Sequence, residues 1–335
     1  MVPVRIGQYG VKHGHAAGKA QALRRNPDVE FVGVYEPDRD LRTQLAGARQ
    51  YAGTPVLQSP EELLGDPSII AVAIEGSNAE SLAMAEEAIE AGKHVWYDKP
   101  GGHDWPRFSR LIARARAANL QVQMGYMFRY HQGFQQIASW TRSGMLGEVF
   151  GLRAHMSTWL PVHGEGWTTT ARTNIAPHQG GIFFDLGGHM LDQVVWLLGR
   201  PERVTPFFRN DGTPELPGFA DNTLVVFEYP QALATVDISA LESRPAARRF
   251  EVYGSRGSAI MEPFEPEPQL RLCLTAPSAG YDAGMQNVAL AAQPRDVLYE
   301  RELVAFLATL RGAQPADRSL DHELLVQETL LRATG

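Results

Sequence analysis

Short apolar runs alternate with amphipathic stretches over the first third of the chain. Val2 to Gly7, Phe31 to Tyr35, Ile69 to Ile74, His94 to Tyr97 and Gln121 to Met124 read as strands, and Ala79 to Ala91 and Trp105 to Ala118 carry helical spacing. That rhythm predicts a Rossmann-like α/β domain over residues 1–125, built on a doubly wound parallel sheet. Beyond residue 125 the pattern changes. One helix-like stretch is followed by a helix near Asp185 and then by strands between about Val204 and Leu274, clearest at Val225 to Tyr229, Ala234 to Ser239 and Phe250 to Tyr253. Turn signals at Tyr229-Pro230 and Gly254-Ser255-Arg256-Gly257 separate them. This predicts a second, α+β domain over residues 126–335 with a large, mostly antiparallel sheet. Pro263 to Gln293 reads as a loop, and helices at Asp296 to Arg311 and Ser319 to Arg332 close the chain.

The run from Gly180 to Asp192, Gly-Gly-Ile-Phe-Phe-Asp-Leu-Gly-Gly-His-Met-Leu-Asp, carries the strongest chemical signal. At roughly 100° per residue, Asp185, His189 and Asp192 share one helical stripe, while Met190, Leu191, Val194, Val195 and Leu198 form the opposite, packing face. A carboxylate one turn before a histidine orients the imidazole and stabilises its protonated form, as proton transfer near neutral pH requires. Paired glycines before Asp185 and before His189 weaken a helix unless something approaches closely.

Composition narrows the partners. Acidic residues outnumber basic ones, 38 to 31, with no long basic run, which argues against nucleic acid. The single cysteine, Cys273, cannot form an internal disulfide, and no apolar run is long enough to span a bilayer. The N-terminus enters a strand-like run without a signal-peptide pattern, so the expectation is a cytoplasmic protein.

The first strand-to-helix turn reads Gly7-Gln8-Tyr9-Gly10-Val11-Lys12-His13-Gly14-His15. With Gly10 as the middle glycine of G-x-G-x-x-G, the first falls on Gln8 and the third on His13, so one glycine of three matches. The position still suits a dinucleotide pyrophosphate, held by backbone amides at a helix start. Glu36 ends the second strand, where a carboxylate would accept from the adenosine ribose 2′-hydroxyl and repel a 2′-phosphate, favouring NAD over NADP. Arg39 and Arg42 lie close behind and would favour NADP if they swing in. Lys99 follows the His94 to Tyr97 strand in Tyr97-Asp98-Lys99-Pro100, and Pro100 keeps its backbone extended at a strand end where such sheets bind ligands.

Three segments together resemble the Gfo/Idh/MocA oxidoreductases, the glucose-fructose oxidoreductase and inositol dehydrogenase relatives, across nearly the whole chain. Ala88 to Pro100 is similar to A-x-E-A-G-K-H-V-x-x-E-K-P, with Asp98 where glutamate is usual. Ser143 to Val149 is similar to S-G-x-L-G-x-V, and Gly180 to Asp192 to G-G-x-x-x-D-x-G-x-H-x-x-D. The resemblance implies that Lys99, Asp185 and His189 are catalytic. It implies that the backbone from Gly7 and the residues Gln8, Tyr9, Gly10 and His13 line the pyrophosphate and that Glu36 meets the ribose. Gly76, Ser77, Asn78, Asp98 and Lys99 would complete the cofactor side. The implied reaction is hydride transfer between nicotinamide and a secondary alcohol of a sugar or polyol. The implied assembly is a homodimer or homotetramer through the antiparallel sheet. The chain departs from the pattern at the two missing glycines, at Gly76-Ser77 where Thr-Pro is usual, at Ser81 where histidine often sits, and at Asp98.

Aromatic residues with nearby donors suit carbohydrate. Tyr126, Arg129, Trp159, His163 and Arg172, with His189, are the candidate substrate contacts, and Tyr130, His131, Trp167 and His178 are further members of the group. The spacing of His155, His163, His178, Asp185 and His189 fits no compact zinc motif, so no metal is expected. Two other classes stay open: a carbohydrate enzyme that recycles tightly bound NAD without net oxidation, and a silent nucleotide- or sugar-binding module.

Overall fold

The computed structural model describes residues 2–164, 170–244 and 247–335, and the chain divides into two compact units. Trp167 lies outside the described residues.

The first unit alternates strand and helix: β1 (Val4–Tyr9), α1 (Ala16–Arg25), β2 (Val29–Tyr35), α2 (Arg39–Leu45), α3 (Pro60–Leu64), β3 (Ala71–Ile74), α4 (Ser81–Glu90), β4 (His94–Tyr97), α5 (Trp105–Ala117) and β5 (Val122–Met124). The five strands form one parallel sheet in the order β2-β1-β3-β4-β5. Beside β2, Val34 bridges Val56 in parallel, through Val34 N to Pro55 O and Leu57 N to Val34 O. That bridge stands where a dinucleotide-binding sheet has its third strand, so the order is the doubly wound one with an abbreviated edge. Strands covered on both faces have no polar side, and all four residues of β3 are buried, which is why their sequences read as unbroken apolar runs. Helix α5 shows how the covering layer forms. Asp104 caps it by accepting from Arg107 N at 2.9 Å, and Phe108, Leu111, Ile112 and Ala115 put one stripe inward.

The second unit contains α6 (Gln132–Arg142), β6 (Val149–His155), α7 (Arg172–Ile175), α8 (Gly181–Leu198), β7 (Arg203–Arg209), β8 (Asn222–Glu228), β9 (Leu233–Ser239), β10 (Arg249–Gly254), β11 (Gly257–Met261), β12 (Leu270–Leu274) and β13 (Gly284–Val288). Its eight strands run β13-β12-β11-β10-β6-β9-β8-β7, antiparallel except for the β6/β9 pair. Alternation sets the faces. Val225 and Phe227 of β8 and Ala234, Val236 and Ile238 of β9 are buried, and α8 packs against β9.

Three expectations are corrected, and two short helices went unread. The expected loop from Pro263 to Gln293 contains β12 and β13, the latter an edge strand hidden by its polar Gln286 and Asn287 and paired to β12. Helix α8 is not split into a packed and a wet face, because Gly181 to Val195 are buried on all sides apart from Leu186. The short helices α2 and α3 gave too little periodicity to read. Finally, residues 295–327, with α9 (Arg295–Leu310) and the start of α10 (Leu320–Thr334), belong to the first unit. They are tied there by Arg311 to Asp28 Oδ1, by Gln123 Nε2 to Glu302 O and by Met124 N to Glu323 Oε1, each at 3.1 Å.

Candidate active site

Strand β1 runs two residues further than its apolar pattern predicts, so Gly7, Gln8 and Tyr9 sit inside the sheet and the turn begins at Gly10. Gln8 points inward, donating to Gly10 O at 2.9 Å, and the Tyr9 hydroxyl donates to Glu87 Oε2 at 2.7 Å. Gly10 has φ +87°, and a Cβ there would lie 2.8 Å from Gly76 N. The ends of β1 and β3 therefore close on each other at the switch point of the sheet. Lys12 and Ser77 both bond Glu80, each at 2.6 Å, which ties the two loops together; Asn78 beside them is 5% exposed. Glu36 directly follows β2, and its carboxylate turns inward. Oε2 accepts from Val11 N and Oε1 from Asp38 N, each at 2.9 Å, and the residue has no exposed surface. Arg42 donates to the Glu36 carbonyl.

At the end of β4, Asp98 anchors a buried polar cluster that the sequence did not disclose. Lys19, from α1, reaches both Asp98 Oδ2 at 2.9 Å and Glu75 Oε1 at 3.0 Å, with its ammonium 4.4 Å from the Trp96 ring centre. His15 Nδ1 lies 3.0 Å and His13 Nδ1 3.4 Å from Asp98 Oδ2. Burial works against the Lys19 ammonium, but Asp98, Glu75 and Glu302 outweigh it and hold it above its usual range. Burial likewise opposes the Asp98 carboxylate, and His13, His15 and Lys19 together hold its pKa well below normal. For His15 burial prevails and drives the imidazole down to about 3. The available signal was His13-x-His15 followed by Lys19 one turn into a helix.

Lys99 is 3% exposed, its N–H donating to Asp98 Oδ1 at 2.8 Å. The loop after it is held from α10: Gln327 accepts from Gly101 N at 3.0 Å and donates to Gly102 O at 2.6 Å.

In the second unit, Asp185 and His189 stand one turn apart near the start of α8, 6% and 1% exposed, with His189 edge-on to Phe128 at 5.2 Å. The glycines before them admit the chain itself. Gly180 and Gly181 have positive φ, and a Cβ would meet Thr334 at 2.3 Å and the Ala220 carbonyl at 2.4 Å respectively.

Residues 5–126 match the profile of the oxidoreductase family with an NAD-binding Rossmann fold, and residues 134–260 match the GFO/IDH/MocA C-terminal domain. An uncharacterized oxidoreductase of Rhizobium meliloti is 30% identical over 90% of this chain and 87% of its own length. The chain belongs to the GFO/IDH/MocA oxidoreductase family. A myo-inositol 2-dehydrogenase of Thermotoga maritima is 22% identical over 83% of this chain and 78% of its own. A solved UDP-N-acetylglucosamine 3-dehydrogenase of Acidithiobacillus ferrooxidans shares the fold at TM-score 0.79 and 21% identity, covering 100% of this chain and 97% of that one.

For this oxidoreductase, the backbone of the nucleotide-binding unit has the close strand-end packing of a dinucleotide fold: Gly10 lets the first turn approach the Glu75-Gly76 backbone, and Gly76 lies against Met84 of α4, where the strand order reverses. It departs in what surrounds that backbone, with His13 and His15 lining the turn. The candidate substrate residues separate into two groups. Trp159 is 52% exposed and His163 is exposed. The other three have interior partners: Arg129 in a buried pair with Asp192 at 3.0 Å and over the Trp196 ring, Arg172 on Thr213 Oγ1 at 2.9 Å and Ala240 O, and Tyr126 beneath the Arg318 guanidinium. Tyr130 and His131 are buried, and His178 stacks on Phe184. Among the described residues, no helix is long and apolar enough to cross a membrane.

The buried cluster also carries a pH signature. Burial pushes the Glu302 carboxyl up to about 8, against the pull of Lys19 and Arg318. In the unfolded chain it ionises near pH ~4.3. Between these values the folded chain keeps a proton that the unfolded chain has lost, so this group makes stability fall as pH rises from about 4 to about 8. Glu302→Gln is expected to match the parent near the acid end and to melt several degrees higher near pH 8. Melting curves whose difference stays constant across that range would contradict the assignment.

Proposed function

We propose that this oxidoreductase is an NAD-dependent dehydrogenase acting on a secondary alcohol of a sugar, polyol or related carbohydrate. The reading is carried by the intact Asp185/His189 pair, one turn apart in the buried start of α8. When bound, the nicotinamide supplies the hydride acceptor. His189 takes the hydroxyl proton as the carbinol C–H bond is given up, and returns it to the ketone oxygen in the reverse direction. Asp185 orients the imidazole and offsets its charge. Lys99 donates a hydrogen bond to the reacting oxygen and stabilises its alkoxide character. The Gly10 to His13 turn, Gly76 to Asn78 and the Asp98-Lys99 corner would hold the dinucleotide. Glu36 places a carboxylate at the end of β2 that disfavours a 2′-phosphate, and each of its oxygens, accepting one backbone N–H, keeps a lone pair for a ribose hydroxyl. Trp159 offers an exposed aromatic face of the kind that sugar C–H groups stack on, with His163 as a nearby donor in sequence.

The test is a panel of sugars and polyols offered with NAD and with NADP in both directions, read by the near-ultraviolet absorbance of reduced nicotinamide. Free NAD consumed in proportion to substrate supports the reading. Reduced nicotinamide that stays with the protein through dialysis indicates internal recycling instead, and failure to bind either dinucleotide indicates a silent module.

The same reading includes a cytoplasmic setting and a homo-oligomer formed through the outer face of the eight-stranded sheet. On that face Phe207 and Leu224 oppose each other across β7 and β8, 55% and 37% exposed, and Leu233 of β9 is 56% exposed. Phe207→Lys combined with Leu224→Lys is expected to convert the assembly to a monomer in size-exclusion chromatography. A parent protein already monomeric at micromolar concentration would remove this part of the proposal.

A further inference from the structure

Two positions at which the chain departs from its family's pattern, His13 and Asp98, are far apart in sequence and meet in space. His13 and His15 lie two residues apart on the turn between β1 and α1, their rings edge to face at 4.6 Å. Asp98 comes to them from the end of β4, with Oδ2 at 3.4 Å from His13 Nδ1 and 3.0 Å from His15 Nδ1. One donor atom from each residue lies within 4.8 Å of the others, and the three side chains are 6%, 10% and 1% exposed. An ion bound by nitrogen and oxygen at ~2.0–2.2 Å in tetrahedral geometry has donor-to-donor edges of roughly 3.3–3.6 Å. The 3.4 Å separation of His13 Nδ1 from Asp98 Oδ2 falls in that range, and the 3.0 Å hydrogen-bond contact of His15 Nδ1 is a few tenths of an ångström short of it.

Charge points the same way. Lys19 is a single ammonium shared by two buried carboxylates, Asp98 at 2.9 Å and Glu75 at 3.0 Å, so one negative charge of the pair has no lysine of its own. Glu75 Oε2 lies 3.6 Å from His13 Nδ1, so a second buried carboxylate borders the proposed ligands. The Asp98 carboxylate is also oriented from behind, because Oδ1 accepts from Lys99 N at 2.8 Å.

We infer that His13, His15 and Asp98 form a binding site for a divalent transition-metal ion of the zinc class. Two imidazoles and one carboxylate suit zinc and its neighbours, whereas magnesium prefers an all-oxygen octahedron. Three protein ligands leave a position open to a small ligand. The site shares His13 and Asp98 with the residues proposed to hold the dinucleotide, and metal binding is tested without dinucleotide or turnover.

The experiment is calorimetric titration of the full chain, dialysed against chelator, with zinc alone and with magnesium alone. One equivalent of zinc is expected, with magnesium giving no comparable heat. The double variant His13→Asn/His15→Asn, checked for native circular dichroism, is expected to bind zinc about a hundredfold or more weakly, while His322→Asn on α10 binds as the parent does. Asp98→Asn is left out because it also breaks the Lys19 pair. Zinc affinity equal in the double variant and the parent, absence of zinc binding by the parent, or equal affinity for magnesium would each overturn the assignment.

Discussion

His189→Ala is expected to lower turnover by on the order of 10² to 10⁴, the usual contribution of a positioned general base, with dinucleotide affinity changed by no more than a few fold. Because His189 is 1% exposed and packs edge-on against Phe128, His189→Gln, which keeps more of the volume, is the companion variant, and both melts are compared with the parent. Lys99→Met is expected to give a loss of similar order through the hydrogen bond to the reacting oxygen. On the proposed mechanism both groups serve the same step, so the double variant should lose less than the product of the single losses. It should still bind NAD. A His189→Ala protein that turns over at the parental rate and melts normally would show that the proton is handled elsewhere.

Lys19→Met is expected to be the most destabilising substitution in the first unit. It leaves Asp98 and Glu75, 1% and 0% exposed at their side chains, without the ammonium that lies 2.9 and 3.0 Å from them. Breaking a buried pair from one side costs roughly 3–5 kcal/mol, which for a chain of this size lowers the melting temperature by about 10 °C. The surface pair Arg203–Glu228, with its arginine 71% exposed, provides the contrast: Arg203→Ala should cost less than about 1 kcal/mol. Adding Glu75→Gln to Lys19→Met is expected to recover part of the loss by removing one stranded charge. A Lys19→Met melt within a degree or two of the parent would mean that water reaches the cluster and replaces the lysine.

The strands of the first sheet and β8, β9 and β10 of the second were legible because their apolar patterns follow burial directly. Unbroken runs such as Ile69 to Ile74 marked strands covered on both faces, and the run Val225 to Tyr229 marked β8, a strand with one face turned out. The segment Asp185 to Asp192 was legible as a helix with chemistry on it, but Asp192 belongs to a structural pair with Arg129 that only the fold could bring together. Arg129 and Arg172 drew attention for their chemistry and have their partners in the interior, since sequence gives residue type without revealing which neighbour satisfies it. The Lys19–Glu75–Asp98–Glu302 cluster was illegible for the same reason. Its members come from a helix, two strand ends and the C-terminal region, and a buried lysine looks in sequence like any helix-surface lysine. The placement of residues 295–327 with the first unit is likewise a matter of packing, recorded in no local pattern.

The most direct measurement is the change in nicotinamide absorbance when the purified protein, NAD and each member of a sugar and polyol panel are mixed, with the corresponding ketones and reduced cofactor tested in reverse. The account predicts at least one secondary alcohol that reduces free NAD in step with its own oxidation, with NADP less effective and with the signal lost in the Lys99→Met/His189→Ala protein. Absence of any redox change in either direction from a protein that binds the dinucleotide, or a signal that survives in that double variant, would contradict it.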